Sequence, residues 1–111
     1  MEITRDYVKR LLPPRDPAGH KGTFGKVFGL CGAVGYTGAP VLAAEAAVRS
    51  GSGLVYLGVP EAIWQVTAVK CVSAMPFPLP SREGGLALAA EPAVRQRMAS
   101  CDAVLIGCGL G

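Results

Sequence analysis

HKGTFGKVFGLCGAVGYTGAP, residues His20 to Pro40, decides the fold. From Lys26 to Cys31 it is apolar on successive rather than alternate positions, as a parallel strand buried on both faces should be. The strand empties into a loop in which Gly29, Gly32, Gly35 and Gly38 recur every third residue. That spacing lets the backbone turn sharply and approach a neighbour with no Cβ in the way. Pro40 suits the first turn of a following helix, where its missing N–H costs nothing. Free N–H groups around Thr37, Gly38 and Ala39, with the positive end of the helix dipole behind them, make this a place to hold an anion or a polar ligand.

Working outward, the helix should run from about Pro40 to Ser50, with Ala43, Ala46, Ala47 and Ser50 against the sheet and Glu45 and Arg49 paired on the outer face. Gly51 and Gly53 stop it, and Leu54 to Val59 reads as a second buried strand, completing a parallel strand, helix and strand unit. Pro60 opens a short helix over Glu61 to Val69, with Ile63, Val66 and Val69 expected inward. Cys71 to Met75 is the expected third strand, because MPFPLP (Met75 to Pro80) carries alternating prolines that a central strand cannot use. A turn over Arg82 to Leu86 precedes a helix from Glu91 to Ala99 with Pro92 in its first turn. Ala103 to Ile106 is the last strand, ending in G-C-G-L-G. Upstream, Thr4 caps a short amphipathic helix carrying Tyr7, Val8, Leu11 and Leu12, which Pro13 and Pro14 end, and Arg15 to Phe24 is an irregular loop.

The 111 residues leave room for one domain with one modest core. Half are hydrophobic, 17% are charged, and there are 15 glycines and nine prolines, which suits an α/β protein with covered strands rather than a disordered chain. The net charge of +3 comes from scattered residues, Lys9, Arg10 and Arg15 early and Arg95 and Arg97 late, so no nucleic-acid surface is expected. No apolar run reaches membrane-spanning length, and MEITRDYVKRLL lacks the apolar core of a secretion signal, so the expectation is a cytoplasmic protein. Cys31, Cys71, Cys101 and Cys108 contain no C-x-x-C pair and the one histidine is distant in sequence, so they read as buried free thiols with no metal site.

The loop after the first strand is neither a Walker A, since no Gly-Lys-Ser or Gly-Lys-Thr follows, nor a dinucleotide fingerprint, since Gly32, Gly35 and Gly38 are spaced three and three. Taken alone, it is equally a structural turn or a ligand site. The terminal Gly107, Gly109 and Gly111 stand where a strand's carboxyl end meets the next loop, an edge at which open parallel sheets bind ligands; the bland reading is a tight turn. His20 and Lys21 read as a solvated pair before the first strand, with general-base and phosphate-binding roles as the alternatives. Trp64 reads as core or subunit contact. No nucleophile with a neighbouring base appears.

HKGTFG (20–25), GYTGAP (35–40), AAEAAVRSGSGLVYLGVPE (43–61) and DAVLIGCGLG (102–111) occur in the order found in the ADP-dependent NAD(P)H-hydrate dehydratases, and the chain from about Leu12 to Gly111 resembles the first half of that family. The resemblance implies a ribokinase-like layered α/β domain with a mostly parallel sheet, of which this is the N-terminal part. It implies use of ADP or ATP with Mg2+ to drive water out of hydrated NADH or NADPH, and assembly as a homo-oligomer, a tetramer in the family. It also implies that the position of Ala39 contacts the hydrated nicotinamide, so the expected substrate-binding residues are Tyr36, Thr37, Gly38, Ala39, Gly107, Gly109 and Gly111. No catalytic residue is expected within the chain, because the family's nucleotide loop and catalytic aspartate, in a G-x-G-D motif, correspond to positions past Gly111. Where the family has G-P-G-L-G, this chain has Cys108 for the proline. The alternatives are a small-molecule kinase of the same superfamily, acting on a sugar or a vitamin-precursor alcohol, and a non-enzymatic binding or assembly module.

Overall fold

The computed structural model describes residues Met1–Gly111. Its framework is a four-stranded parallel sheet of β1 (Lys26–Cys31), β2 (Leu54–Pro60), β3 (Met75–Leu79) and, after a small hairpin of β4 (Ser81–Arg82) and β5 (Gly85–Leu86), β6 (Ala103–Gly107). Helices α1 (Arg5–Leu11), α2 (Gly38–Arg49), α3 (Glu61–Lys70) and α4 (Glu91–Ala99) complete it, with a 3-10 turn at Leu88–Ala90. The order in space is β3-β2-β1-β6. The chain therefore steps from β1 to β2 to β3 in one direction and returns to the other side of β1 for β6.

Alternate residues of the central strands project to opposite faces, and each face has its own core. Cys31, Val55, Leu57 and Val59 pack with Ala44 of α2 and Ile63 of α3. On the other face Phe28, Leu30, Leu79 and Ala90 are buried, with Phe77 stacked on Phe28 at a centroid distance of 5.9 Å. The Arg97 guanidinium of α4 lies 4.5 Å from the Tyr56 ring centre and 4.9 Å from that of Phe77, covering apolar rings with a weakly hydrated cation. The unbroken apolar runs of β1 and β2 thus reflect burial on two faces.

Several details differ from the sequence expectations. Helix α2 starts at Gly38, and its buried stripe is Pro40 and Ala44 flanked by Ala43, Ala47 and Val48, while Ala46 and Ser50 are exposed. Glu45 and Arg49 form no ion pair; the i,i+4 pair that does form is Glu91 with Arg95, at 2.7 Å. In α3 the inward residues are Ile63 and Thr67, with Trp64 half-buried, and Val66 and Val69 face outward. Thr67 tolerates full burial because its hydroxyl donates to the Ile63 carbonyl at 2.9 Å.

The third strand is Met75–Leu79, not Cys71 to Met75. Its prolines are tolerated because β3 borders the sheet. Successive N–H groups of a strand point to opposite sides, so Pro76 and Pro78 put both missing donors on one edge and leave the others for β2. Trp64 donates its indole N–H to the Pro76 carbonyl at 3.1 Å, so this tryptophan packs on the core and serves the sheet border. In the hairpin, Glu83 and Gly84 both have positive φ, 52° and 82°, as a two-residue turn of this hand requires.

The amino-terminal edge of the sheet is pinned by Asp102. Its carboxylate accepts from the Lys26 N–H and its own N–H donates to the Lys26 carbonyl, both at 2.8 Å, fixing β6 against β1. Thr4 caps α1 by accepting from the Tyr7 N–H at 3.2 Å, yet no residue of that helix is buried.

Candidate functional site

Cys31, at the end of β1, pairs with Gly107, at the end of β6. The two glycine loops therefore leave the sheet side by side, between the strand from which the chain steps one way and the strand to which it returns on the other. In open parallel sheets that crevice is where ligands bind. The loops touch. Gly32 donates its N–H to the Cys108 carbonyl at 3.2 Å. A Cβ on Gly109, whose φ is +79°, would stand 2.8 Å from the Tyr36 Cβ and 3.2 Å from that of Ala39, so the backbone of one loop rests on the other.

The hairpin between β4 and β5 joins them, where the sequence alone indicates only a turn. Val34 donates its N–H to the Gly84 carbonyl at 2.8 Å, and Gly84 packs on the Val34 side chain. The glycines that recur every third residue serve different ends. Gly29 lies inside β1 against Leu57, Gly32 and Gly35 adopt φ of +89° and +87° to turn the chain, and Gly38 has open space where a side chain would be.

Thr37, Gly38 and Ala39 find no acceptor for their N–H groups in the chain, and neither do Cys108, Gly109 and Leu110. Two short rows of unpaired donors thus lie on the two touching loops, with the α2 dipole behind the first. Tyr36, Gly38 and Gly111 are exposed; Thr37, Ala39, Gly107 and Gly109 are half-buried. The shelf is open rather than enclosed. The four cavities of the chain lie elsewhere, among them one of about 310 Å³ between α2 and the segment Cys71–Ala74 and the largest, about 650 Å³, between the Leu12–Asp16 and Ser50–Ser52 segments.

All four cysteines are free, but only Cys31 is buried, and Cys108 is exposed, so the sequence expectation of buried thiols fails at that position. Burial, reinforced by the adjacent Cys108 thiol, pushes the Cys31 thiol up to about 12, so it stays neutral. Burial, then the Glu45 carboxylate, raises Cys71. No three His, Cys, Asp or Glu side chains come together in a way that would hold a metal.

His20 and Lys21 are not part of the shelf. Their loop leads into the amino-terminal end of β1, and a Cβ on Gly53, just before β2, would collide with the Lys21 carbonyl. The six residues of β1, about 20 Å of strand, separate them from the glycine loops. His20 serves its own loop, its Nδ1 accepting from the Gly22 N–H at 3.1 Å.

Residues 27–111 match the NAD(P)H-hydrate dehydratase family. A bifunctional NAD(P)H-hydrate repair enzyme of Moorella thermoacetica is 38% identical over 109 residues, which make up 97% of this chain and 21% of that protein. A ribokinase-like superfamily protein of Enterococcus faecalis superposes with a TM-score of 0.76 at 24% identity, covering 98% of this chain and 35% of that one. An ADP/ATP-dependent NAD(P)H-hydrate dehydratase of Bacillus subtilis, co-crystallised with ATP and Mg2+, superposes with a TM-score of 0.66 at 24% identity, covering 96% and 45%. The chain spans about a fifth of the Moorella relative's length and between a third and a half of these two solved chains. The parallel sheet with helices on both faces shares its fold with the ribokinase-like protein, and with residues 27–111 matched the chain belongs to the NAD(P)H-hydrate dehydratase family.

Proposed function

We propose that this chain supplies the substrate side of a NAD(P)H-hydrate dehydratase and is the N-terminal part of a longer ribokinase-like catalytic domain. The observation that carries the reading is the meeting of the Tyr36–Ala39 and Gly107–Gly111 loops between β1 and β6, with unpaired N–H groups on both. Such a shelf suits a polar, planar ligand edge. Backbone donors would orient the hydrated nicotinamide, Gly38 and Gly109 would let it approach, and the Tyr36 ring would cover it. ADP or ATP would convert the substrate hydroxyl into a phosphoryl leaving group, so that elimination restores the reduced nicotinamide.

The residues present fit the binding half of that task. They do not assemble a metal-ligand set, so Mg2+ belongs in this reading with the nucleotide's phosphates rather than with side chains of this chain. In this reading the catalytic aspartate is contributed from outside these residues. The relatives' names favour dehydration over a simple kinase or a non-enzymatic module. Cytoplasmic placement and homo-oligomeric assembly belong to the same reading and rest on the resemblance; no helix is long and apolar enough to cross a membrane.

The test is a chimera in which residues 1–111 replace the matching segment of the Moorella relative. Incubated with hydrated NADH, ADP or ATP and Mg2+, it should restore the absorbance of the reduced nicotinamide, while Met1–Gly111 alone should not. Ala39→Trp, which fills the shelf, should abolish turnover in the chimera. Full activity of that variant, or turnover by the isolated chain at the chimera's rate, would overturn the assignment.

A further inference from the structure

Two of the four thiols stand together where β1 and β6 end. The register sets Cys31 opposite Gly107, one residue before Cys108. Neighbouring strands run about 4.8 Å apart, within the Cα separations of about 4.4–6.8 Å that a disulfide spans. The bond from the Gly32 N–H to the Cys108 carbonyl at 3.2 Å fixes the two backbones at that point, and the Cys108 side chain is near enough to help raise the Cys31 thiol. Cys108 is exposed and has a φ of +51°, between Gly107 and Gly109, which also have positive φ, so it stands in a turn at the surface rather than in the strand. Cys31 has no exposed surface. Cys71 and Cys101 belong to other places, the end of α3 and the loop after α4.

We propose that Cys31 and Cys108 form a dithiol site that exchanges with small oxidised disulfides and closes into a disulfide across the two glycine loops. The Cys108 thiolate attacks one sulfur of the small disulfide, forming a mixed disulfide and releasing one small thiolate. That thiolate takes the Cys31 proton, and the Cys31 sulfur then attacks the Cys108 sulfur, releasing the second small thiolate. Cys108 first gives its proton to solvent and the second small thiolate takes one from solvent, so the protein loses two electrons and two protons and one small disulfide becomes two thiols. Cys108 is the entry point and Cys31 the resolving partner, because only the first is accessible. The link would hold the Gly32–Ala39 loop to the Cys108–Gly111 loop and so stiffen the shelf. Formation of the bond does not depend on what the shelf binds.

Treating the protein with oxidised glutathione, quenching in acid and counting thiols after denaturation tests this. The count should fall from four to two, with a Cys31–Cys108 peptide pair and no retained glutathione. The double variant Cys71→Ser/Cys101→Ser should close at the wild-type rate, and Cys108→Ser should leave Cys31 reduced. Both variants leave the buried Cys31 in place, so the result does not hinge on a core substitution. A persistent glutathione adduct on Cys108 with Cys31 reduced, a Cys108-linked dimer, or oxidation of Cys31 in the Cys108→Ser protein would overturn the proposal.

Discussion

Gly38 and Gly109 stand on the same shelf and should respond oppositely to one added methyl group. Gly38 has an ordinary helical φ and nothing within 4 Å of its missing Cβ, so Gly38→Ala should leave stability unchanged or raise it by up to about 1 kcal/mol through the unfolded state. Gly109 combines a φ of +79° with a contact of 2.8 Å to the Tyr36 Cβ, so Gly109→Ala should cost about 1–3 kcal/mol. Urea midpoints of the two variants check the contrast. Cys31 gives a pH dependence. Its thiol rises from an ordinary 9.0 to about 12 on folding, so the folded state holds a proton that the unfolded chain releases between those values. The contribution is present below pH 9 and is lost as pH rises toward 12, by up to about 1.4 kcal/mol per pH unit. Cys31→Ala will be less stable near neutrality, but its stability should fall less steeply between pH 9 and 11 than that of the wild type. Parallel slopes would contradict the burial argument. The every-third-residue glycine pattern was legible in the sequence, but the separate reasons for each glycine were not, because they depend on partners such as Leu57 and Ile63 that are remote in the chain.

At the scale of elements, the sequence disclosed β1, α2, β2, α4 and β6 through apolar runs, helix-starting prolines and helix-ending glycines. It misled about faces. Val66 and Val69 are apolar and at helical spacing, yet the sheet takes Ile63 and Thr67 instead, since Thr67 satisfies its hydroxyl within the helix. The alternating prolines of β3 argue against a central strand, and only the strand order shows that β3 lies at the border. The clamp between β1 and β6 was invisible because Asp102 and Lys26 are 76 residues apart. Asp102→Ala should lower stability by about 1 kcal/mol, and Asp102→Asn should recover part of the loss by keeping an acceptor. Equal unfolding midpoints for both variants and the wild type would remove Asp102 as the register-setting residue. Gly53→Ala should be more severe than either, because a methyl group there meets the Lys21 backbone rather than a side chain that can rotate.

Over the whole molecule, β6 is the least covered strand. Val104, Leu105 and Ile106 are 39%, 38% and 57% exposed, and one long edge of the strand has no partner. Exposed apolar strand edges promote association. Ile106→Lys should therefore reduce concentration-dependent association of the 111-residue chain, measured by light scattering, without changing its circular dichroism. The two glycine loops of the proposed site were legible in the sequence. Their meeting was not, since it requires the return of β6 to the far side of β1. Amide hydrogen exchange in the chimera of residues 1–111 with the Moorella remainder, with and without hydrated NADH, tests the proposed site most directly. The substrate should slow exchange at both Thr37–Ala39 and Cys108–Leu110 together, and Ala39→Trp should remove both effects. Protection confined to residues outside this segment, or at one loop without the other, would contradict it.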